Sequence, residues 1–337
     1  MAITRIGNPA IADVRGVNFR NIIINGGMDL AQRSTSVSSI TGTGYNTVDR
    51  WRIAAGTAGT WTQSQSTDVP TAQGFAKSLK MDCTTANASL SAGSVLVFQQ
   101  LIEGQNIQYL KKGTSSAEST TLSFWVKSNK TGTYIVEIDD TDNTRAISKS
   151  YTISSADTWE KKTITFEGDT TGAFNNDNGA SLELNFWLVA GTNFSSGTLQ
   201  TTWTSKVDAN RVVGQVNLAD STDNEWYITG VQLEAGSQAS DFEFLPHDIN
   251  LKRCLRYYYQ DTAFLDITVV RVSDSSRGVH KTLPVPMRAT PTFTATSTNE
   301  IGNTSMNNSS NTSVRFSMSG SADNHPRYAA YNFSAEL

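Results

Sequence analysis

The sequence predicts an all-β protein: an antiparallel β-sandwich, one linking α-helix, then a smaller β-rich C-terminal domain. Three observations carry this. Short runs alternate between apolar and polar residues, most cleanly at 121–128 and 181–188, which is the period of a strand buried on one face. Turn signals separate the runs, the strongest being Asn175-Asn176-Asp177-Asn178-Gly179. Two apolar stretches, Asn21-Ile22-Ile23-Ile24 and Trp226-Tyr227-Ile228-Thr229-Gly230-Val231-Gln232-Leu233, read as the opening and closing buried strands of one layered core.

Residues 1–20 contain Gly7-Asn8-Pro9 and no period, so they are expected to be an extended arm that gains order from a neighbour. The sandwich is expected over 21–246. Val48, Trp51 and Ile53 suggest an aromatic-rich strand, followed by strands near 94–100, 121–128, 134–138 and 164–166. In 121–128, Leu122, Phe124 and Val126 share the inward parity, leaving Trp125 and Lys127 outward. In 181–188, Leu182, Leu184, Phe186 and Leu188 point inward and Glu183, Asn185 and Trp187 outward. In the closing strand, parity groups Tyr227 with Val231 and Leu233, and places Trp226 on the polar side.

The second domain is expected over 247–337. Ile249, Leu251, Cys254, Leu255 and Tyr258 fall at helical spacing, with Pro246 ending the preceding strand and Asp248 a candidate N-cap. Strands are expected at 264–270, 291–296, 314–318 and 328–333, and an exposed loop at 299–312. Leu283-Pro284-Val285-Pro286 can only be an edge or a bridge, since each proline removes a ladder donor.

Composition narrows the function. At 337 residues the chain can bury two cores. A net charge of −4 with 17% charged residues argues against a nucleic-acid binder, which needs clustered Lys and Arg to neutralise phosphates. No apolar run approaches the roughly 20 residues of a membrane-spanning helix, so no membrane insertion is expected. The first twenty residues lack the apolar block of a secretion signal. A protein of this kind that works outside a cell is expected to leave by lysis or within a particle. Cys83 and Cys254 are expected to be buried free thiols, with a disulfide as the alternative.

Several motifs occur in a familiar order. Asn21-Ile22-Ile23-Ile24-Asn25-Gly26-Gly27-Met28-Asp29 with Val48-Asp49-Arg50-Trp51 resembles the opening of phage tail-fibre and related virion structural proteins. Gly230-Val231-Gln232-Leu233-Glu234-Ala235-Gly236, then Phe242-Glu243, Cys254-Leu255-Arg256-Tyr257-Tyr258 and Leu283-Pro284-Val285-Pro286-Met287-Arg288-Ala289-Thr290-Pro291, resemble segments that follow in that family. The sandwich is similar to the jelly rolls of carbohydrate-binding modules. The resemblance implies a homotrimeric virion appendage. Its arm would attach to other virion proteins, and its sandwich would serve host-surface glycans or particle assembly. It also implies a calcium near the first and last strands, at positions matching Asp29 and the region of Gly230, where this chain has glycine for the usual acidic residue.

No catalytic motif emerges. His247, His280 and His325 are dispersed, and the carboxylates Asp139, Asp140 and Asp142 sit in a turn, where solvation competes with any catalytic pairing. Asp140 and Asp142 have oxygen chemistry suited to calcium. The expectation is therefore a non-enzyme. A sugar site needs a flat aromatic with amide or carboxylate partners; Trp125, Lys127, Glu183, Asn185, Trp187 and Trp226 supply that chemistry. The competing expectation is that another subunit or the arm covers these tryptophans. The function expected is a tail-fibre or receptor-binding subunit, with a capsid-decorating or head-fibre subunit as the alternative.

Overall fold

A computed structural model describes residues 19–261, 265–266, 277–299, 303–307, 310–319 and 327–337. The predicted arm therefore lies, up to residue 18, outside the described residues. Twelve strands build two facing antiparallel sheets, the layout of a jelly-roll sandwich. The first sheet has the order β1-β3-β4-β12-β6-β9, from β1 (Ser36–Ile40), β3 (Thr60–Ser66), β4 (Ser78–Thr85), β6 (Thr120–Ser128), β9 (Glu160–Phe166) and β12 (Glu225–Ala235). The second has the order β11-β8-β7-β10-β5-β2, from β2 (Arg52–Gly56), β5 (Val95–Glu103), β7 (Gly132–Asp140), β8 (Arg145–Ile153), β10 (Ala180–Ala190) and β11 (Thr204–Ser205).

The predicted inward residues fill the space between the sheets. Leu122, Phe124 and Val126 of β6 and Leu184, Phe186 and Leu188 of β10 are fully buried in one cluster. Aromatic side chains join the layers: Phe124 to Phe186 at 5.1 Å between ring centroids, Phe98 to Trp226 at 5.9 Å. Such pairs add directional contact to apolar burial.

Two expectations need correcting here. Residues 21–27 form no strand, although Ile22 and Ile23 enter the core. They lie beside the second half of β12, where β4 no longer reaches: Ile22 N donates to Leu233 O and Val231 N to Gly26 O. Between those points the Asn21 side chain replaces the ladder, donating to Val231 O at 3.1 Å and accepting from Leu233 N at 3.1 Å. Likewise Val48 and Trp51 are buried in the turn before β2 rather than in a strand.

The second correction concerns β12. Its pairing with β6 shifts between Thr229 and Gln232, a β-bulge centred on Gly230, whose φ is +61°. A bulge inserts one residue and reverses the parity beyond it. Trp226 and Ile228 therefore point inward before it, and Val231 and Leu233 after it. A Cβ on Gly230 would stand 2.5 Å from the Phe75 ring, so close packing as well as φ requires glycine.

Beyond the sandwich, α2 (His247–Leu255) begins at Pro246, not Asp248, which sits instead in the first turn; a carboxylate is favourable there beside the helix's positive end. The short α1 (Thr192–Ser195) precedes it in the chain. Cys254 and Tyr257 pack on Ile24 and Leu30, tying the helix to the sandwich. Both cysteines are buried and unpaired. In the C-terminal region β13 (Tyr258–Asp261), β14 (Leu265–Asp266) and β16 (Thr292–Asn299) pair with β19 (Arg327–Ser334). The other small sheet runs β15-β18-β17, from Arg277–Thr282, Ser313–Ser319 and Asn303–Asn307. The last of these lies in the expected loop, because antiparallel pairing to β18 outweighs the weak strand preference of Asn and Ser. Of the strand expected at 264–270, only Leu265 and Asp266 are described.

The junction is ionic as well as apolar. Glu103, fully buried, accepts from Arg256 at 2.8 and 2.6 Å and from the Tyr257 hydroxyl. Burial alone would raise the Glu103 carboxyl, but these donors hold it below the usual range. Arg50 lies 3.4 Å from the Tyr257 ring centroid and pairs with Glu336.

Candidate functional site

The six predicted site residues do not meet. Trp125 and Lys127 lie on the outer face of the first sheet, Glu183, Asn185 and Trp187 on the outer face of the second, and Trp226 between the sheets. Each outer face looks away from the other across the sandwich core, so no single site holds both sets. Trp226 is corrected from outward to core: it is fully buried beside Phe98 and Phe186, for the bulge reason given above.

On the second sheet, the outward parity of Asn185 and Trp187 is right, but neither is open. Trp187 is 2% exposed and packs with Val97, Ile135 and Val212. Phe194 of α1 stands 5.4 Å away, so the cover belongs to this chain rather than another subunit. Glu137 of β7 organises the polar part. It is fully buried and accepts from Asn185 Nδ2 and Trp187 Nε1, each at 3.2 Å, and from Arg211 at 2.7 and 2.8 Å. The guanidinium also lies 5.0 Å from the Trp187 ring centroid. A buried carboxylate is stable only with its charge matched and its oxygens bonded, and Arg211 does both. Glu183, half-buried on the same face, has its carboxyl pushed up by burial and by the neighbouring Asp139.

The first sheet presents a different surface. Trp125 is half-buried and outward, opposite Lys161 on β9 and Thr229 on β12. Two residues along β6, about 7 Å at strand rise, Lys127 lies 4.4 Å from the Tyr227 ring centroid and 5.8 Å from that of Trp159. Asp68 pairs with Lys127 and accepts from Trp159 Nε1 at 2.9 Å. Lys80 pairs with Glu225, which also accepts from the Tyr227 hydroxyl at 2.8 Å. These donors outweigh burial and hold Asp68 and Glu225 below the ordinary carboxylate range. Burial and Glu225 push the Tyr227 phenol up to about 12, so it stays a neutral donor. Among the described residues, Trp125 stacks on no other ring and its indole N–H has no partner. The face therefore combines an available indole with a fixed rim of ammonium and carboxylate groups.

Trp159, Tyr227, Asp68, Lys80 and Glu225 were missed as site residues. Trp159 precedes its strand and gives no parity signal; only the β6–β9 register sets it beside Lys127. Parity did group Tyr227 with the core, and the bulge puts it outside.

The calcium candidates do not fit the metal. Asp140 is fully buried, but Lys112 occupies its cation position: the ammonium pairs with Asp140 and Asp169 and donates to Thr171 O at 2.9 Å and Gly172 O at 2.7 Å. Asp142 spends its oxygens on Asn175, at 2.9 and 2.8 Å. Asp29 is exposed and its turn does lie beside Gly230, since Gly26 O accepts from Val231 N and Gly27 O from Thr229 Oγ1, but Gly230 brings no carboxylate to it. Among the described residues no cluster of three His, Cys, Asp or Glu side chains could hold a metal ion.

No protein-family profile and no curated protein matches the chain. Similar solved structures include the enzymatically active domain of tailspike protein 4 from bacteriophage CBA120, at 18% identity and TM-score 0.34, covering 64% of this chain. This chain spans only 21% of that one. A family 11 carbohydrate-binding module from Clostridium thermocellum, in complex with a β-1,3-1,4-mixed-linked tetrasaccharide, is similar at 10% identity and TM-score 0.30, covering 60% of this chain and 98% of its own. The N-terminal cellulose-binding domain of Cellulomonas fimi β-1,4-glucanase C follows at 11% identity and TM-score 0.29, covering 56% and 90%. At these values the likenesses assign no function.

Proposed function

We propose that the chain is a glycan-binding structural subunit of a phage virion, a tail-fibre or receptor-binding protein that meets host-surface sugar with the outer face of its first sheet. The observation that carries the glycan reading is Trp125: a half-exposed indole without a partner, standing in a row with Lys127 and Lys161. A pyranose offers an apolar CH face and a ring of hydroxyls. The first stacks on the indole; the second finds donors in Lys127 and Lys161 and acceptors in the carboxylates beyond. The role is binding without cleavage. The assembly is a homotrimer held to other virion proteins by residues 1–20.

A glycan array probed with the full chain and with Trp125→Ala tests the binding. Retention on at least one host-surface glycan, lost in the variant, is the expected result; no retention by the wild type overturns it. Light scattering tests the trimer, and antibody-labelled particles seen by electron microscopy test the location. Label on the head instead of the tail selects the head-fibre alternative.

A further inference from the structure

A cavity stands apart from both outer faces. It lies where residues 19–24 and the turn at 106–109 meet α2, encloses about 290 Å³, and is lined in part by Phe19, Asn106, Tyr109, Arg253 and Arg256. A contiguous space of about 430 Å³ shares Phe19, Arg253 and Arg256 and adds Lys252. Among the described residues, no Asp or Glu lines either space. The first is close to the lower end of the range of small-ligand pockets, and the second is a shallow groove open to solvent.

Arg253 differs from the other arginines at this junction. Arg256 is held by Glu103 and Arg50 by Glu336. Arg253 makes one hydrogen bond, to Asn21 O at 3.2 Å, and has no ion pair among the described residues. Glu243, the carboxylate nearest in influence, is taken by the backbone N–H groups of Phe19 and Asn21 at 2.9 and 3.0 Å. Burial accordingly lowers the proton affinity of Arg253, whereas paired carboxylates raise that of Arg50 and Arg256. A half-buried guanidinium with free donors in a fixed fork is built to receive a planar carboxylate. Beside it, Phe19 is 53% and Tyr109 48% exposed, an uneconomical display of aromatic surface unless something covers it. The Tyr109 phenol and the exposed Asn106 amide are without partners among the described residues.

We propose that this pocket binds a sugar bearing a carboxylate, such as a uronic acid. Arg253 takes the carboxylate, the exposed rings of Phe19 and Tyr109 cover the apolar ring face, and Asn106 and the Tyr109 hydroxyl meet the hydroxyls. This extends the glycan reading to acidic sugars but stands on different residues, so either site can fail without the other.

The test is calorimetric titration of the full chain with glucuronate, glucose and inorganic phosphate, repeated on Arg253→Gln, Tyr109→Ala and Trp125→Ala. Glucuronate is expected to bind at least about tenfold more tightly than glucose or phosphate, and Arg253→Gln to weaken it at least about tenfold. Tyr109→Ala, altering an exposed ring, keeps the fold and is expected to weaken it also. Trp125→Ala is expected to leave it unchanged. No glucuronate binding up to about 20 mM, equal binding of phosphate, or undiminished binding by Tyr109→Ala or a folded Arg253→Gln overturns the proposal. A Trp125→Ala protein that loses glucuronate assigns the sugar to the sheet face and likewise overturns it.

Discussion

On the second sheet, an outward tryptophan has a guanidinium 5.0 Å from its ring and its N–H on a buried carboxylate. On the first sheet, an outward tryptophan has neither. Trp187 and Trp125 occupy equivalent places in their strands, each among polar neighbours of the same parity. What separates them is chain from elsewhere: α1 and the segment ending at Val212 fold over Trp187, and nothing comparable among the described residues covers Trp125. An outward position in a strand thus states a direction, and the cover decides whether that direction is solvent.

Removing the charge partner on each face should separate the two most. Glu137→Gln removes the nearest counter-ion of Arg211, leaving Asp139 at 3.4 Å and Asp208 at 3.5 Å, and is expected to cost about 2–3 kcal/mol in urea unfolding. Asp68→Asn, on the open face, breaks a pair whose carboxylate is exposed and is expected to stay within about 1 kcal/mol. Similar losses would erase the distinction between the faces.

A smaller effect tests the bulge that brings Trp226 into the core. Gly230→Ala must hold alanine at φ +61° and move the Phe75 ring, with an expected cost of about 1–3 kcal/mol. A variant as stable as wild type in the same unfolding assay would remove the packing argument for β12.

Acid should act on the two faces with opposite sign. Glu225 is depressed in the folded state, so its contribution is present above the unfolded pKa and is lost as pH falls through the folded one. Glu183 is raised, so its charged form opposes folding at neutral pH, and that penalty shrinks as pH falls through its folded pKa and is gone below the unfolded one. Relative to wild type, Glu225→Gln is expected to be less stable at pH 7 and Glu183→Gln more stable, each by at most about 1 kcal/mol. The Glu183 difference should be gone by about pH 4, whereas the Glu225 difference is lost mainly below it. Unfolding curves across that range give the signs directly.

The fold was legible where one property repeats along one strand. Leu122, Phe124 and Val126 alternate with polar residues, and they face the core. The same reading failed at Trp226 because one inserted residue resets the parity, and a lone glycine inside a strand signals a bulge only to a reader who gives up regular alternation there. For the candidate site, direction was legible for Trp125 and Lys127, while Trp159 needed the cross-strand register. The fate of Trp187 depended on contacts with residues such as Phe194 and Val212 that have no period linking them to β10. Asp140 looked like a free oxygen ligand because the cation that satisfies it, Lys112, comes from a distant turn.

The claim that Trp125 belongs to an adhesive surface and Trp187 to the scaffold is tested most directly by one paired measurement: retention of Trp125→Ala and Trp187→Phe on immobilised host-surface polysaccharide, with melting temperature recorded alongside. Trp125→Ala is expected to melt with the wild type yet no longer be retained, while Trp187→Phe melts lower and is retained as long as it is folded. Wild-type retention by Trp125→Ala would contradict it.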